Sequence, residues 1–292
     1  MAEQHESADQ VEGRGHEESQ NPVVVQEFEE NAATMGLKPL EKRALFQLKA
    51  KLQEAIANGS LFADPREEKA QVWACPQVMS IWGVPLLPSK SKNHVGTDIV
   101  LLKFLKARDF KAGDAFEMLR KTLIWRKEAR IDGIVEEELG PGFESVGFMN
   151  GSDKGGHPVC YNIYAALKDK DRDSKLLESE EKREAFVRWR VQLMEGCVRD
   201  LNLKAGGIGS IVQISDLKNS PGPPTKELRI TLRKAVSVLE DHYPDFVEKN
   251  IFINVPFRHY AYNAMISRFL NQRSGSKCIF VRPSKVQETL LK

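Results

Sequence analysis

The chain has few of the features that mark a catalyst or a membrane-spanning protein. Its 292 residues hold four cysteines, Cys75, Cys160, Cys197 and Cys278, widely spaced and without a Cys-x-x-Cys pair. That pattern offers no zinc frame; it reads as reduced thiols, three of them within apolar or amphipathic runs, in a reducing compartment. The six histidines include no His-Glu-x-x-His spacing, and no Gly-x-Ser-x-Gly elbow occurs. His157, His242 and His259 each read as structural or exposed. Gly206-Gly207-Ile208-Gly209-Ser210 is the one glycine cluster. It precedes an apolar run instead of following one, and no Gly-Lys-Ser/Thr comes after it, so it reads as a helix-to-strand turn and not a phosphate cradle. No nucleophile, acid–base pair or metal site stands out. The expectation is a binder and not an enzyme, with no cofactor.

No run approaches the roughly 18 apolar residues of a membrane span, and no basic-then-apolar leader is evident. A soluble, cytoplasmic protein with peripheral membrane contact is expected. On that reading the sequons at Asn58 and Asn150 are turn chemistry. A zinc frame, an RNP-like aromatic strand and a heptad extension are also missing, so nucleic acid is not an expected partner.

The charge is unevenly spread. The formal net charge is +2, but residues 1–31 carry nine acids against Arg14 alone, a balance of −8, and the remaining 42 bases and 32 acids leave +10. An acidic disordered tail, expected over 1–37, thus leads a basic body. Anionic membrane lipids fit the body, and the tail is a candidate surface for protein partners. A monomer is expected.

Leu40, Ala44, Leu45, Leu48, Leu52 and Ile56 recur at helical spacing, which predicts a helix over Pro39–Ala57 ending at Asn58-Gly59. The Pro-rich remainder to residue 96 reads as an irregular strap around Trp82. Thr97 is a candidate cap for a helix from Asp98 to Arg108, and a second helix spans Gly113 to Arg130. Together they predict a helical module over 97–142.

From 143 to 292 strands and helices alternate. The predicted strands are Val159–Tyr164, after a hairpin turn at Asp153-Lys154-Gly155-Gly156, and Ile208–Ile214; the predicted helices are Glu180–Leu201 and Thr225–Asp241. A capping box at Ser284–Gln287 predicts a last helix. Two further apolar runs, Ile251 to Phe257 and Lys277 to Val281, flank a helix-length segment, Arg258 to Leu270. Short apolar runs joined by a helical crossover predict parallel strands buried on both faces. The fold class is therefore α/β, a helical module followed by a mostly parallel sheet. Phe257, Ala261, Ala264, Met265 and Phe269 share one side of the crossover, as a lid over an apolar cavity requires. A carrier of a hydrophobic ligand is the reading that follows.

Three segments in order resemble the CRAL-TRIO lipid-binding family of phosphatidylinositol transfer proteins. They are Leu101-Leu102-Lys103-Phe104-Leu105-Lys106-Ala107-Arg108-Asp109-Phe110, then Asp153-Lys154-Gly155-Gly156-His157-Pro158-Val159, and Tyr243-Pro244-Asp245 through Asn254-Val255-Pro256-Phe257 to Ser276-Lys277. Trp82-Gly83-Val84-Pro85-Leu86-Leu87 and Ser215-Asp216-Leu217-Lys218-Asn219 are similar to the plant patellins, which share the acidic N-terminal region and usually continue into a GOLD domain not found before Lys292.

The resemblance implies a sheet that encloses lipid behind a helical gate, with phosphatidylinositol or a phosphoinositide as ligand. It places the family's headgroup acid and lysine on Asp245 and Lys277. A further basic position falls on Asp109, leaving Arg108 as its substitute. The hydroxyl pair that holds a choline lipid's phosphate falls on Ile211 and Gln213, so the resemblance favours inositol lipid. It implies roles in membrane traffic or cell-plate formation. The alternative is a membrane adaptor that binds phosphoinositide without transferring it.

Overall fold

The structure is a computed structural model that describes residues 31–62, 79–86, 95–139, 142–167, 176–220, 225–255 and 277–291. The first helix, α1, runs Pro39–Ala57, with Pro39 at its start and Glu41 accepting a hydrogen bond from the Lys38 N–H at 2.9 Å. Leu45, Leu48 and Leu52 are fully buried on one face, and Gly59, at φ 73°, turns the chain away. Residues 31–37, expected to belong to a disordered tail, instead pack. Thr34 is fully buried, and Asn31 Nδ2 donates to Asp98 Oδ2 at 2.7 Å. Asp98 also pairs with Lys49 of α1.

Helices α2 (Val95–Ala107) and α3 (Ala112–Glu128) are separated by Asp109 and Phe110, both at positive φ. The predicted cap at Thr97 is incorrect. The helix begins at Val95, and the Thr97 hydroxyl donates to Pro85 O at 2.7 Å. That bond ties α2 to a small hairpin, β1 (Ser80–Ile81) and β2 (Val84–Pro85), where an irregular strap was expected. Trp82 and Gly83 both adopt positive φ at the hairpin tip, the backbone that a tight two-residue connection needs. The Trp82 ring then lies 5.9 Å from Phe104 and 4.6 Å, edge-on, from Phe246.

The main sheet contains β3 (Gly147–Ser152), β4 (Pro158–Ile163), β5 (Ile211–Asp216), β6 (Val247–Ile253) and β7 (Cys278–Phe280), in that spatial order. Only β3 and β4 run antiparallel, and the Asp153 carboxylate organises their turn by accepting the Gly155 and His157 N–H groups at 2.9 Å. Helix α4 (Glu180–Arg199), capped by Ser179, leads into β5, and α5 (Lys226–His242), capped by Thr225, leads into β6. Strand β6 begins and ends about four residues earlier than the apolar run suggested, because Asn254 turns into positive φ. The predicted capping box at Ser284 does not form. Pro283–Lys285 is a 3-10 turn and α6 occupies only Val286–Leu290.

Side chains alternate across a strand, so register assigns each to a face. Val159, Val212, Ile214, Ile253 and Val281 cluster on one face, against Val286. The other face presents the rung Cys160–Gln213–Asn250–Cys278, followed by Asn162–Ser215–Phe252–Phe280. Helix α4 packs on that second face, burying Phe186 and Trp189 with Phe143, Val146 and Leu167; Leu228 and Leu232 of α5 pack against the same cluster.

Candidate lipid headgroup site and apolar hollow

Parallel strands β6 and β7 are neighbours, which brings together the residues that precede them. Lys277 O accepts the Asn250 N–H at 3.0 Å. Asp245, at φ 55°, projects its carboxylate toward Lys277, whose Nζ donates to Asp245 Oδ1 at 2.8 Å and to Val247 O at 2.9 Å. Two lysines of α2 complete the cluster. Lys106 Nζ lies 3.6 Å from Asp245 Oδ2; Lys103 Nζ donates to Gly209 O at 2.7 Å and Asp245 O at 2.9 Å. Lys103 is only 6% exposed, and its ammonium sits 4.2 Å above the Phe246 ring.

Burial lowers the Lys103 pKa to about 8, opposed by the Asp245 charge and reinforced by Lys106 and Lys277. Burial by itself would raise the Asp245 pKa, but the Lys277 hydrogen bond and the lysine charges hold it below the ordinary carboxylate range. Asp245 is the one carboxylate in contact with the three lysines; Glu248 adds a second, weaker negative charge near Lys103, and the lysines remain in excess. Such a surplus of positive charge at strand ends can receive an anion. Arg108, the third residue of the predicted headgroup set, is not brought to this cluster; its Nη1 donates to Ala107 O at 3.2 Å. Sequence reasoning missed Lys103 and Lys106. Their i, i+3 spacing on one helix face was the available signal.

A second charged cluster anchors the same turn from behind. Arg126 of α3 forks onto Glu195 of α4, with Nη1–Oε1 at 2.6 Å and Nη2–Oε2 at 3.2 Å, and Nη2 reaches Asp132 at 2.7 Å. Tyr243 OH donates to Glu195 Oε1 at 2.5 Å. Beside it, His242 stacks on Trp125 at 4.0 Å with its Nδ1 3.2 Å from the Thr122 hydroxyl. Burial, reinforced by the Arg126 charge and opposed by Asp241, lowers the His242 pKa to about 4.

Between α4, α5 and the β4 end of the sheet lies a hollow of about 60 Å³. Val146, Phe186, Leu232 and Leu239 give it apolar walls, and Asn162 and Arg190 give it two polar groups. The predicted gate residues, Phe257, Ala261, Ala264, Met265 and Phe269, lie in 256–276, outside the described residues. Among the described residues, no group of three or more His, Cys, Asp and Glu side chains is placed to hold a metal. No helix among them is long and apolar enough to cross a membrane. Cys160 and Cys197 are buried free thiols.

Family models described as the CRAL/TRIO domain and the CRAL/TRIO N-terminal domain match residues 143–292 and 44–121. Patellin-4 of Arabidopsis thaliana is 51% identical over 214 residues, covering 73% of this chain and 38% of that protein. Patellin-3 of the same plant is 41% identical over 288 residues, covering 98% and 56%. The phosphatidylinositol transfer protein sfh-5 of Neurospora crassa is 26% identical over 232 residues, covering 71% of this chain and 61% of its own. The crystal structure of Sfh5 superposes with a TM-score of 0.68 at 19% identity, covering 87% of this chain and 84% of that one, a likeness of fold. The chain spans between 31% and 57% of the length of the patellins it matches.

Proposed function

Since the chain belongs to the CRAL/TRIO family of lipid-binding and lipid-transfer proteins, we propose that it docks on anionic membranes and takes the inositol phosphate of a phosphoinositide onto the Asp245–Lys277 cluster. The observation that carries this reading is the excess of lysine over carboxylate where β5, β6 and β7 begin. Lys277 spends its ammonium on one carboxylate oxygen and one carbonyl, and an arriving phosphate would compete for it with Asp245. Basic side chains near an anionic bilayer add roughly 1 kcal/mol of attraction each.

The acyl chains impose the second requirement. Moving about 30 methylenes into water at about 0.8 kcal/mol each would cost over 20 kcal/mol. A carrier must therefore open its apolar interior only against the bilayer. In this reading Phe257 to Leu270 is the lid, inserting its apolar side. Carriage in membrane traffic, cell-plate formation included, is the cellular role proposed.

The hollow among the described residues, about 60 Å³, is small for a two-chain lipid, which favours a second reading. In it the protein is an adaptor that holds a headgroup without extracting the lipid. Transfer of labelled phosphatidylinositol between vesicles separates the two. For the headgroup assignment, Lys277→Ala should weaken sedimentation with phosphoinositide liposomes about tenfold while leaving the thermal midpoint near wild type; undiminished sedimentation would refute it.

A further inference from the structure

The wall of the hollow carries a cation, Arg190, that no carboxylate among the described residues answers; its guanidinium carbon lies 5.7 Å from the Trp189 ring centroid. Along α4, Arg188 meets Glu137 at 2.5 Å, Arg199 lies 4.0 Å from Glu136, and Arg183 donates to the Leu177 and Glu178 carbonyls. Arg190 has a single hydrogen-bond partner, the neutral Asn162 Oδ1, 2.6 Å from its Nη1. Among the described residues no carboxylate pairs with it. The Asn162 amide is committed on its other side, Nδ2 donating to the Ser215 hydroxyl at 3.4 Å, so its carbonyl is held toward the guanidinium. Opposite, Gly147 leaves the necessary room, since a Cβ there would lie 3.3 Å from Arg190 Nη1 and 3.1 Å from Leu193. A half-buried guanidinium among apolar walls is costly without a counter-charge, and most of its N–H donors remain to be used.

We propose that Arg190, held by Asn162 and Ser215, is an oxyanion subsite inside the hollow, and that it takes the carboxylate or phosphate monoester of an apolar-tailed amphiphile. The inference rests on the hollow being a ligand cavity and adds to it a second anchoring point. This point is distinct from the lysine cluster. Ser215 pairs with Phe252, five residues along β6 from Val247, whose carbonyl Lys277 holds. At about 3.3 Å per residue the separation is roughly 16 Å, too far for one phosphodiester to bridge. The fork geometry of arginine matches a carboxylate or phosphate, and the apolar side chains around it accept the tail.

The test compares oleate with oleyl alcohol, which share a tail and differ in the oxyanion, by co-elution of labelled compound with the full chain. Wild type should bind oleate about tenfold more tightly or better. Arg190→Gln should erase the preference, Arg190→Lys, which keeps the charge and loses the fork, should keep only part of it, and millimolar inorganic phosphate should not displace oleate. The preference should persist in Lys277→Ala; its loss there would assign the carboxylate to the lysine cluster and overturn the subsite. Displacement by phosphate alone would make this a site for the free anion and equally overturn the proposal. Equal binding of oleate and oleyl alcohol by wild type, a comparison that needs no variant to fold, overturns the subsite and leaves the lipid cavity standing. A wild type that takes up neither, nor any phosphoinositide, overturns both.

Discussion

The two charged clusters on either side of Tyr243-Pro244-Asp245 both set basic side chains against carboxylates and do opposite things. Behind the turn, Arg126 is met by Glu195 and Asp132, and Tyr243 supplies Glu195 with a further donor. Within the buried part the charges match one to one, the side chains of Arg126 and Glu195 being 7% and 10% exposed, while the second carboxylate, Asp132, is 84% exposed. In front of it, Asp245 faces Lys277, Lys106 and Lys103, its exposure is twice as great at 19%, and the charges do not cancel. A balanced, buried pair holds helices together, whereas an unbalanced pair at a rim is prepared for something not yet bound. The first joins α3 to α4; the second joins three strand ends to α2.

That contrast is open to direct attack. The largest effect should come from Glu195→Ala, which leaves Arg126 buried and short of its main partner. Stability should fall by about 3–5 kcal/mol in urea unfolding, and a loss under about 1 kcal/mol would show that the pair is not the anchor described.

Next is Lys103, the one buried ammonium among the described residues. Its pKa in the fold, about 8, lies below the roughly 10.4 of the unfolded chain, so the unfolded state binds more protons between those values. The burial cost is present below pH 8 and is relieved as pH rises toward 10.4. Wild type should therefore gain up to about 3 kcal/mol over that window relative to Lys103→Met. Parallel pH–stability curves for the two proteins would remove the argument. The smallest effect on stability belongs to Lys106→Ala. Its side chain is 47% exposed and lies 3.6 Å from Asp245, so its loss should change stability by less than about 1 kcal/mol. Its effect should appear instead in weaker phosphoinositide binding, and a variant that loses stability but not binding would reverse the contrast between the two clusters.

Much of the architecture was legible in the chain. The helix over Pro39–Ala57 was predictable to the residue, because its buried leucines keep helical spacing and a proline and an Asn-Gly pair mark its ends. Alternating strands and helices implied the parallel β4–β7 arrangement, and Asp153 to Gly156 implied the hairpin before it. Local rules failed where a distant group competed for a side chain. Thr97 looks like a cap, yet its hydroxyl is taken by Pro85 O. Ser284 looks like the start of a capping box, but Pro283 opens a short 3-10 turn there. At the candidate site, Asp245 and Lys277 were reached through family resemblance and do meet, whereas Arg108 turns back on its own helix end. Lys103 and Lys106 were passed over because a lysine in an amphipathic helix ordinarily snorkels to water.

What the residues determine unaided is local and periodic: which segments coil, which extend, where charge accumulates, and the order of elements along the chain. Those properties depend on neighbours within a few positions, so they survive without a fold. Which lysine is buried, which carboxylate it meets and which arginine is left facing an apolar hollow depend on contacts across 106 residues for Lys103 and Gly209, 32 for Lys277 and Asp245, and 28 for Arg190 and Asn162. Desolvation and charge pairing act through space, so only the folded chain decides them.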